Sequence, residues 1–196
     1  MLAFTASWLE LRAQLTEAIR PTDIPGACLD PTATVFGPSR APWRVVTFMD
    51  YDCPPCRRLD AVASATCRAC SGRLRWEVVM FPLPSHPNAP ILARVSLAAA
   101  RAARLPIVHS ILFDTWNRPL KERLTRAASA MAVSMRGLAR LTSLRCDAEL
   151  AHWLFIGRCL GIQGTPSVFL VSPAGRVWAV ADPGAIQSFI ESSPDR

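Results

Sequence analysis

Residues 43–56 read WRVVTFMDYDCPPC, and this stretch decides the fold. Trp43 to Met49 is β-branched and aromatic with few charges. A run of that kind is a strand covered on both faces. Arg57 to Thr66 follows without Gly, Pro or Asn, and Leu59, Val62 and Ala63 fall on one helical face. The order is therefore strand, then C-x-x-C, then helix.

That order has a chemical consequence. Cys53 falls at a helix N-terminus, where unpaired N–H groups and the positive end of the dipole favour a thiolate. The thiolate is the nucleophile of thiol–disulfide exchange. Cys56, one turn later on the same face, is placed to attack a mixed disulfide and release the product. Pro54 and Pro55 suit the first helical turn, which has no intrahelical N–H bond to lose. Neither can donate an N–H to the Cys53 sulfur, so the Cys56 N–H is the donor left within the motif.

Two other readings of these cysteines compete. One is a structural disulfide. The other is zinc, because Cys53, Cys56, Cys67 and Cys70 are spaced C-x2-C-x10-C-x2-C. Zinc needs four sulfurs about 2.3 Å from one point. A continuous helix from Arg57 to Thr66 instead puts Cys67 roughly 20 Å from Cys53. Cys67 and Cys70 are then a local disulfide or two inert thiols. Cys146 and Cys159 fall within one helical segment, too far apart to bond. Cys28 has no evident partner.

Outward from this centre, Leu74 to Phe81 (LRWEVVMF) reads as a second strand, followed by a loop punctuated by Pro82, Pro84, Pro87 and Pro90. Ile91 to Leu160 is helical, divided at Pro106 and Pro119. Ile91, Val95, Ala98 and Ala102 form one stripe; Ile107, Ile111 and Leu112 form another. The last helix of the block runs from Ser143 to Cys159 and ends at Gly161. Ser167 to Val171 and Arg176 to Val180 are strands joined by the turn SPAG. Pro183 opens a final helix through Ile190. At the start, Ser7 to Arg20 reads as an amphipathic helix with Trp8, Leu11, Leu15 and Ile19 on one stripe, stopped by Pro21. Residues 21–43 are mostly loop, with a short strand near Thr34 to Phe36. The predicted class is α/β (α+β): a mixed central sheet flanked by helices.

Composition bounds the function. The chain has 196 residues, 51% hydrophobic and 19% charged, which excludes disorder over most of its length. Its longest uncharged run, between Arg158 and Arg176, is broken by Gly161, Gly164, Pro166 and Pro173, so no membrane span is expected. The net charge is +7 with Lys121 the only lysine, but the arginines are scattered, and a nucleic-acid footprint needs clustering. Met1 to Leu11 lacks the basic and apolar regions of a secretory signal.

A second motif, Gly161-Ile162-Gln163-Gly164-Thr165-Pro166-Ser167, sets a proline ahead of a buried strand. FMDYDCPPC followed by GIQGTPSVFL resembles the DsbA-like branch of the thioredoxin superfamily, from about Asp30 to Ile190. The resemblance implies a thioredoxin-like sheet (30–84 and 160–196) with a helical insertion (85–159), preceded by an N-terminal helix and loop (1–29). It implies a redox pair at Cys53 and Cys56 within the motif completed by Pro54 and Pro55. It implies a cis-proline at Pro166, and at Thr165 a residue whose backbone pairs with substrate chain. Asp50 and Tyr51 match the family's D-Y and are expected to support the loop. Thr47 stands where many relatives carry a buried acid for proton transfer; Asp50, Asp52 or water are the substitutes the sequence offers. His86, His109 and His152 are expected to be structural. Trp76, Trp116, Trp153 and Trp178 are expected in the core or lining a groove.

The function so implied is thiol–disulfide exchange with protein cysteines through a mixed disulfide, with no cofactor. Its partners are cysteine-containing proteins and, for reoxidation, a membrane quinone-linked protein. The setting is periplasmic or otherwise extracytoplasmic, the absence of a visible signal leaving the cytoplasm as the alternative. Two rivals are a redox-inert or zinc-stabilised thioredoxin-like binding module and a kappa-type glutathione-dependent enzyme, the latter not needing this C-x-x-C.

Overall fold

The computed structural model describes residues 8–29, 34–142 and 144–193. Ser7, Asp30 and Ser143, expected boundaries of elements or domains, lie outside the described residues, as do the side chains of Trp8 and Leu11.

The elements in chain order are α1 (Trp8–Ala18), β1 (Ile19–Pro21), β2 (Thr34–Phe36), β3 (Trp43–Met49), α2 (Pro54–Ala69) and β4 (Leu74–Met80). Five helices follow: α3 (Ala89–Arg101), α4 (Leu105–Asp114), α5 (Leu120–Ala130), α6 (Met135–Leu141) and α7 (Leu144–Cys159). β5 (Ser167–Val171), β6 (Val177–Val180) and α8 (Ile186–Ser192) complete the chain, with a 3-10 turn at Pro183–Ala185 opening onto α8. No helix among the described residues is long and apolar enough to cross a membrane.

The strands form one mixed sheet in the order β1-β6-β5-β3-β4-β2. β3 and β4 are parallel, joined by α2, which is the β-α-β unit the sequence predicts. β5 runs antiparallel to β3, and β6 antiparallel to β5. β3 is apolar apart from Arg44 and Thr47 because the sheet is covered on both faces. Trp43, Val45 and Met49 join a core with Ala63 of α2, Val108 of α4 and Ile186 of α8. Val46 and Phe48 join a second core with Phe81, Phe169 and the half-buried Trp153 and Ile156 of α7. At that contact Gly157 lies so close that a Cβ there would stand 2.4 Å from the Phe81 ring.

Two expectations need correction. The N-terminal helix stops at Ala18, not Arg20, and Ile19–Pro21 pairs antiparallel with β6, Ile19 opposite Val180. Ile19 fits a helical stripe and an edge strand equally; the free edge of β6 decides between them, and Ile19 is buried there. On α4, Ile107 faces solvent at 51% exposure. The buried face is Leu105, Val108, His109, Leu112 and Phe113, because α4 packs against α3, α5 and β2 on that side.

Candidate active site

β3 ends in the core, and Asp50-Tyr51-Asp52 carries the chain to the start of α2. Cys53 is the N-cap residue with extended backbone (φ −84°, ψ 115°), and Pro54 and Pro55 occupy the exposed first turn. The Cys53 N–H donates to the Asp50 carbonyl at 3.2 Å, and the Arg57 N–H to the Cys53 carbonyl at 3.2 Å. Cys56 follows in the same turn, and both thiols are unbonded. Both cysteines are buried, at 3% and 2% exposure. Burial holds the Cys56 thiol far above the ordinary cysteine range. A backbone hydrogen bond from Asp50 and the nearby Thr165 hydroxyl act the other way, while the neighbouring Cys53 sulfur adds to the rise.

The second motif meets the first here. The peptide bond Thr165–Pro166 is cis, and Cys53 Sγ donates to the Thr165 carbonyl at 3.2 Å, across 112 positions of sequence. Beside Pro166 runs a groove lined by Arg58, Leu59, Val62, Val168, Val180 and Pro183. Arg57 turns aside, its guanidinium 5.7 Å from the centre of the Trp116 ring.

The acidic residues around the motif have separate duties. Asp50 is buried and accepts from the Asp52 N–H (2.7 Å), the Leu83 N–H (2.9 Å) and His86 Nδ1 (2.8 Å). It thereby ties the loop to the segment after β4. Asp52 accepts from the Asn88 N–H at 3.2 Å and from Arg123 of α5. Tyr51 points the other way: its hydroxyl lies 2.8 Å from His109 Nδ1 and 3.1 Å from Ser96 Oγ. His109 Nε2 in turn lies 2.7 Å from Asp60 Oδ1 on α2. Burial raises the Tyr51 pKa strongly, so its hydroxyl keeps its proton.

Arg123, Asp60 and their roles are missed by sequence reasoning. Asp60 carried a usable signal, since it lies four residues after Cys56 and so on the same helical face. Arg123, in the segment LKERLTR, carried none.

The other cysteines stay apart. α2 is unbroken from Pro54 to Ala69, so Cys67 and Cys70 sit at its far end, roughly 20 Å away. Among the described residues no three His, Cys, Asp or Glu side chains are placed to hold a metal ion. Cys67 is pushed up to about 12 by burial, with the neighbouring Cys70 adding to it. Cys28 and Cys159 are exposed, and Cys146 is buried.

A family model described as Thioredoxin matches residues 29–190. The chain belongs to the thioredoxin family. No curated protein matches the sequence. Among solved structures, this thioredoxin-family chain is similar to a thioredoxin-like oxidoreductase from Silicibacter pomeroyi DSS-3, with 24% identity, 85% of this chain and 94% of the other covered, and a TM-score of 0.69. It is similar to the thiol-disulfide exchange protein alpha-DsbA2 from Wolbachia pipientis (13% identity, 92% and 94% covered, TM-score 0.70). A periplasmic thioredoxin-like protein from Salmonella enterica serovar Typhimurium also matches (18% identity, 84% and 91% covered, TM-score 0.64). These likenesses establish the thioredoxin-like fold with a helical block between β4 and β5.

Proposed function

We infer that this thioredoxin-family chain is a thiol–disulfide oxidoreductase acting on protein cysteines. The observation that carries the reading is the meeting of Cys53, at the N-terminus of α2, with the Thr165 carbonyl beside cis-Pro166. In the reducing direction, the Cys53 thiolate attacks a partner disulfide. A Cys53–partner bond forms, and the other partner sulfur leaves as a thiolate. Cys56 then attacks Cys53, the Cys53–Cys56 bond forms, and the second partner sulfur departs. The protein dithiol is oxidised by two electrons and the partner disulfide is reduced by two. In the oxidising direction every bond change reverses.

The backbone at Thr165 and Pro166 is the proposed rest for the extended partner chain, with the groove between Val62 and Pro183 receiving its apolar side chains. An oxidising compartment suits this chemistry, and the Salmonella structure described as periplasmic supports an extracytoplasmic setting. A membrane quinone-linked protein is the proposed electron acceptor when the protein works as an oxidant.

The test is insulin reduction by dithiothreitol together with refolding of reduced ribonuclease. The wild type accelerates at least one of them and Cys53→Ser neither. Equal activity in wild type and Cys53→Ser overturns the mechanism.

A further inference from the structure

Exchange requires the Cys56 thiol, which is buried, to lose its proton, so it needs an acceptor within reach. The loop acids do not supply one. Both oxygens of Asp50 are taken by three donors, and Asp52 is held by Asn88 and Arg123.

A cavity of about 10 Å³ lies on the inner side of Cys56, the room one water molecule needs. Its polar lining is Cys56, Thr47, Asp60 and His109; its walls are apolar, Met49 and Phe113 among them. Thr47 Oγ1 accepts from Trp76 Nε1 at 2.8 Å, which leaves its own O–H to donate. His109 Nε2 lies 2.7 Å from Asp60 Oδ1, where the carboxylate oxygen is the acceptor. His109 Nδ1 lies 2.8 Å from the Tyr51 hydroxyl, so Tyr51, His109 and Asp60 form one hydrogen-bonded chain. The Asp60 oxygen not used by His109 has no protein donor among the described residues. The Asp60 side chain is 22% exposed, whereas His109 is 2% exposed, so a proton taken at Asp60 has a way out to solvent.

We propose that Asp60, held by His109 and Tyr51, is the proton acceptor for Cys56 through a single water in this cavity. The water accepts the S–H proton, donates to Asp60, and is steadied by the Thr47 hydroxyl. As Cys56 ionises, its sulfur attacks Cys53, the Cys53–Cys56 bond forms, and the partner leaves as a thiolate that takes a proton from solvent. When Cys56 is instead the leaving group, the same water returns the proton. Asp60 is a positioning residue in this scheme, since it reaches the sulfur through water.

The inference rests on the proposed disulfide exchange, and the experiment separates the two. Reduced protein is mixed with oxidised glutathione, quenched with acid at short times, and the Cys53–glutathione adduct is followed by mass. Asp60→Asn keeps the shape of the side chain and removes the acceptor. The adduct is expected to form at the wild-type rate and to decay about tenfold or more slowly, within the range of general-base effects. Asp60→Glu is expected to recover most of the decay rate. If Asn destabilises the fold, Asp60→Ser is read in its place against the same Glu variant. Wild-type decay in the Asn variant, or equal slowing by Asn and Glu, overturns the relay alone. Adduct absent from both the wild type and Cys56→Ser, which cannot resolve it, overturns the exchange reading and the relay with it.

Discussion

The Arg123 guanidinium on α5 donates to the Asp52 carboxylate at 2.5 Å and to the Tyr51 carbonyl at 3.1 Å. One buried side chain thus ties the helical block to the two residues that precede Cys53. A third donation, to the Leu112 carbonyl at 3.1 Å, anchors it to α4.

Arg123 is 1% exposed, and the Asp52 side chain it pairs with is 13% exposed. Replacing Arg123 with Met leaves a partly buried carboxylate and two backbone carbonyls without their donor. The expected cost is about 3 kcal/mol, in the range found for breaking buried ion pairs. Urea unfolding measures it. A midpoint unchanged from wild type contradicts the tie.

Gly157 offers a test of packing in which helix propensity and a close contact oppose each other. In an exposed helix Gly→Ala adds about 1 kcal/mol of stability. Here the new Cβ meets the Phe81 ring, itself packed edge-on against Phe48 with ring centres 6.0 Å apart. Overpacking of this kind costs about 1–3 kcal/mol. Gly157→Ala is therefore expected to unfold at lower urea concentration than wild type. A higher midpoint means that α7 can lift off the sheet.

The reduced protein loses stability in alkali, and Cys67 contributes a measurable part. Burial raises its pKa to about 12 from the ordinary value of 9.0. Between those pH values the unfolded chain releases a proton that the folded chain keeps. Stability therefore falls as pH rises through this window, by about 1.4 kcal/mol per pH unit for each such thiol. Cys67→Ala is expected to lower the baseline stability and to flatten this slope by about one thiol's worth. Unfolding at pH 9.5 and 10.5, fully reduced, reads the difference. Identical slopes contradict the assignment.

How much of this was legible in the sequence depends on the range of the forces involved. The strand, the C-x-x-C and the helix over 43–66 are written in local patterning, and the structure follows them nearly residue by residue. The pair of strands at 167–180 is equally local. β1 was not legible, because three residues carry too little pattern to outweigh the helix before them, and the β6 edge that captures them lies more than 150 residues away. The polar network was not legible either. His109 reads as one polar residue on an apolar helix until the fold brings Tyr51 and Asp60 to its two nitrogens. The C-x-x-C and G-T-P motifs were each visible, but only the fold brings the Cys53 sulfur to the Thr165 carbonyl.

The central claim is that Cys53 takes the partner sulfur and Cys56 releases it. The most direct measurement mixes Cys56→Ser with a disulfide-bonded substrate protein, alkylates after quenching, and locates any intermolecular disulfide by peptide mass. A covalent complex through Cys53, absent from both Cys53→Ser and the double variant, is the predicted result. A complex that survives Cys53→Ser, or that forms through Cys67, Cys70 or an exposed cysteine, contradicts the account.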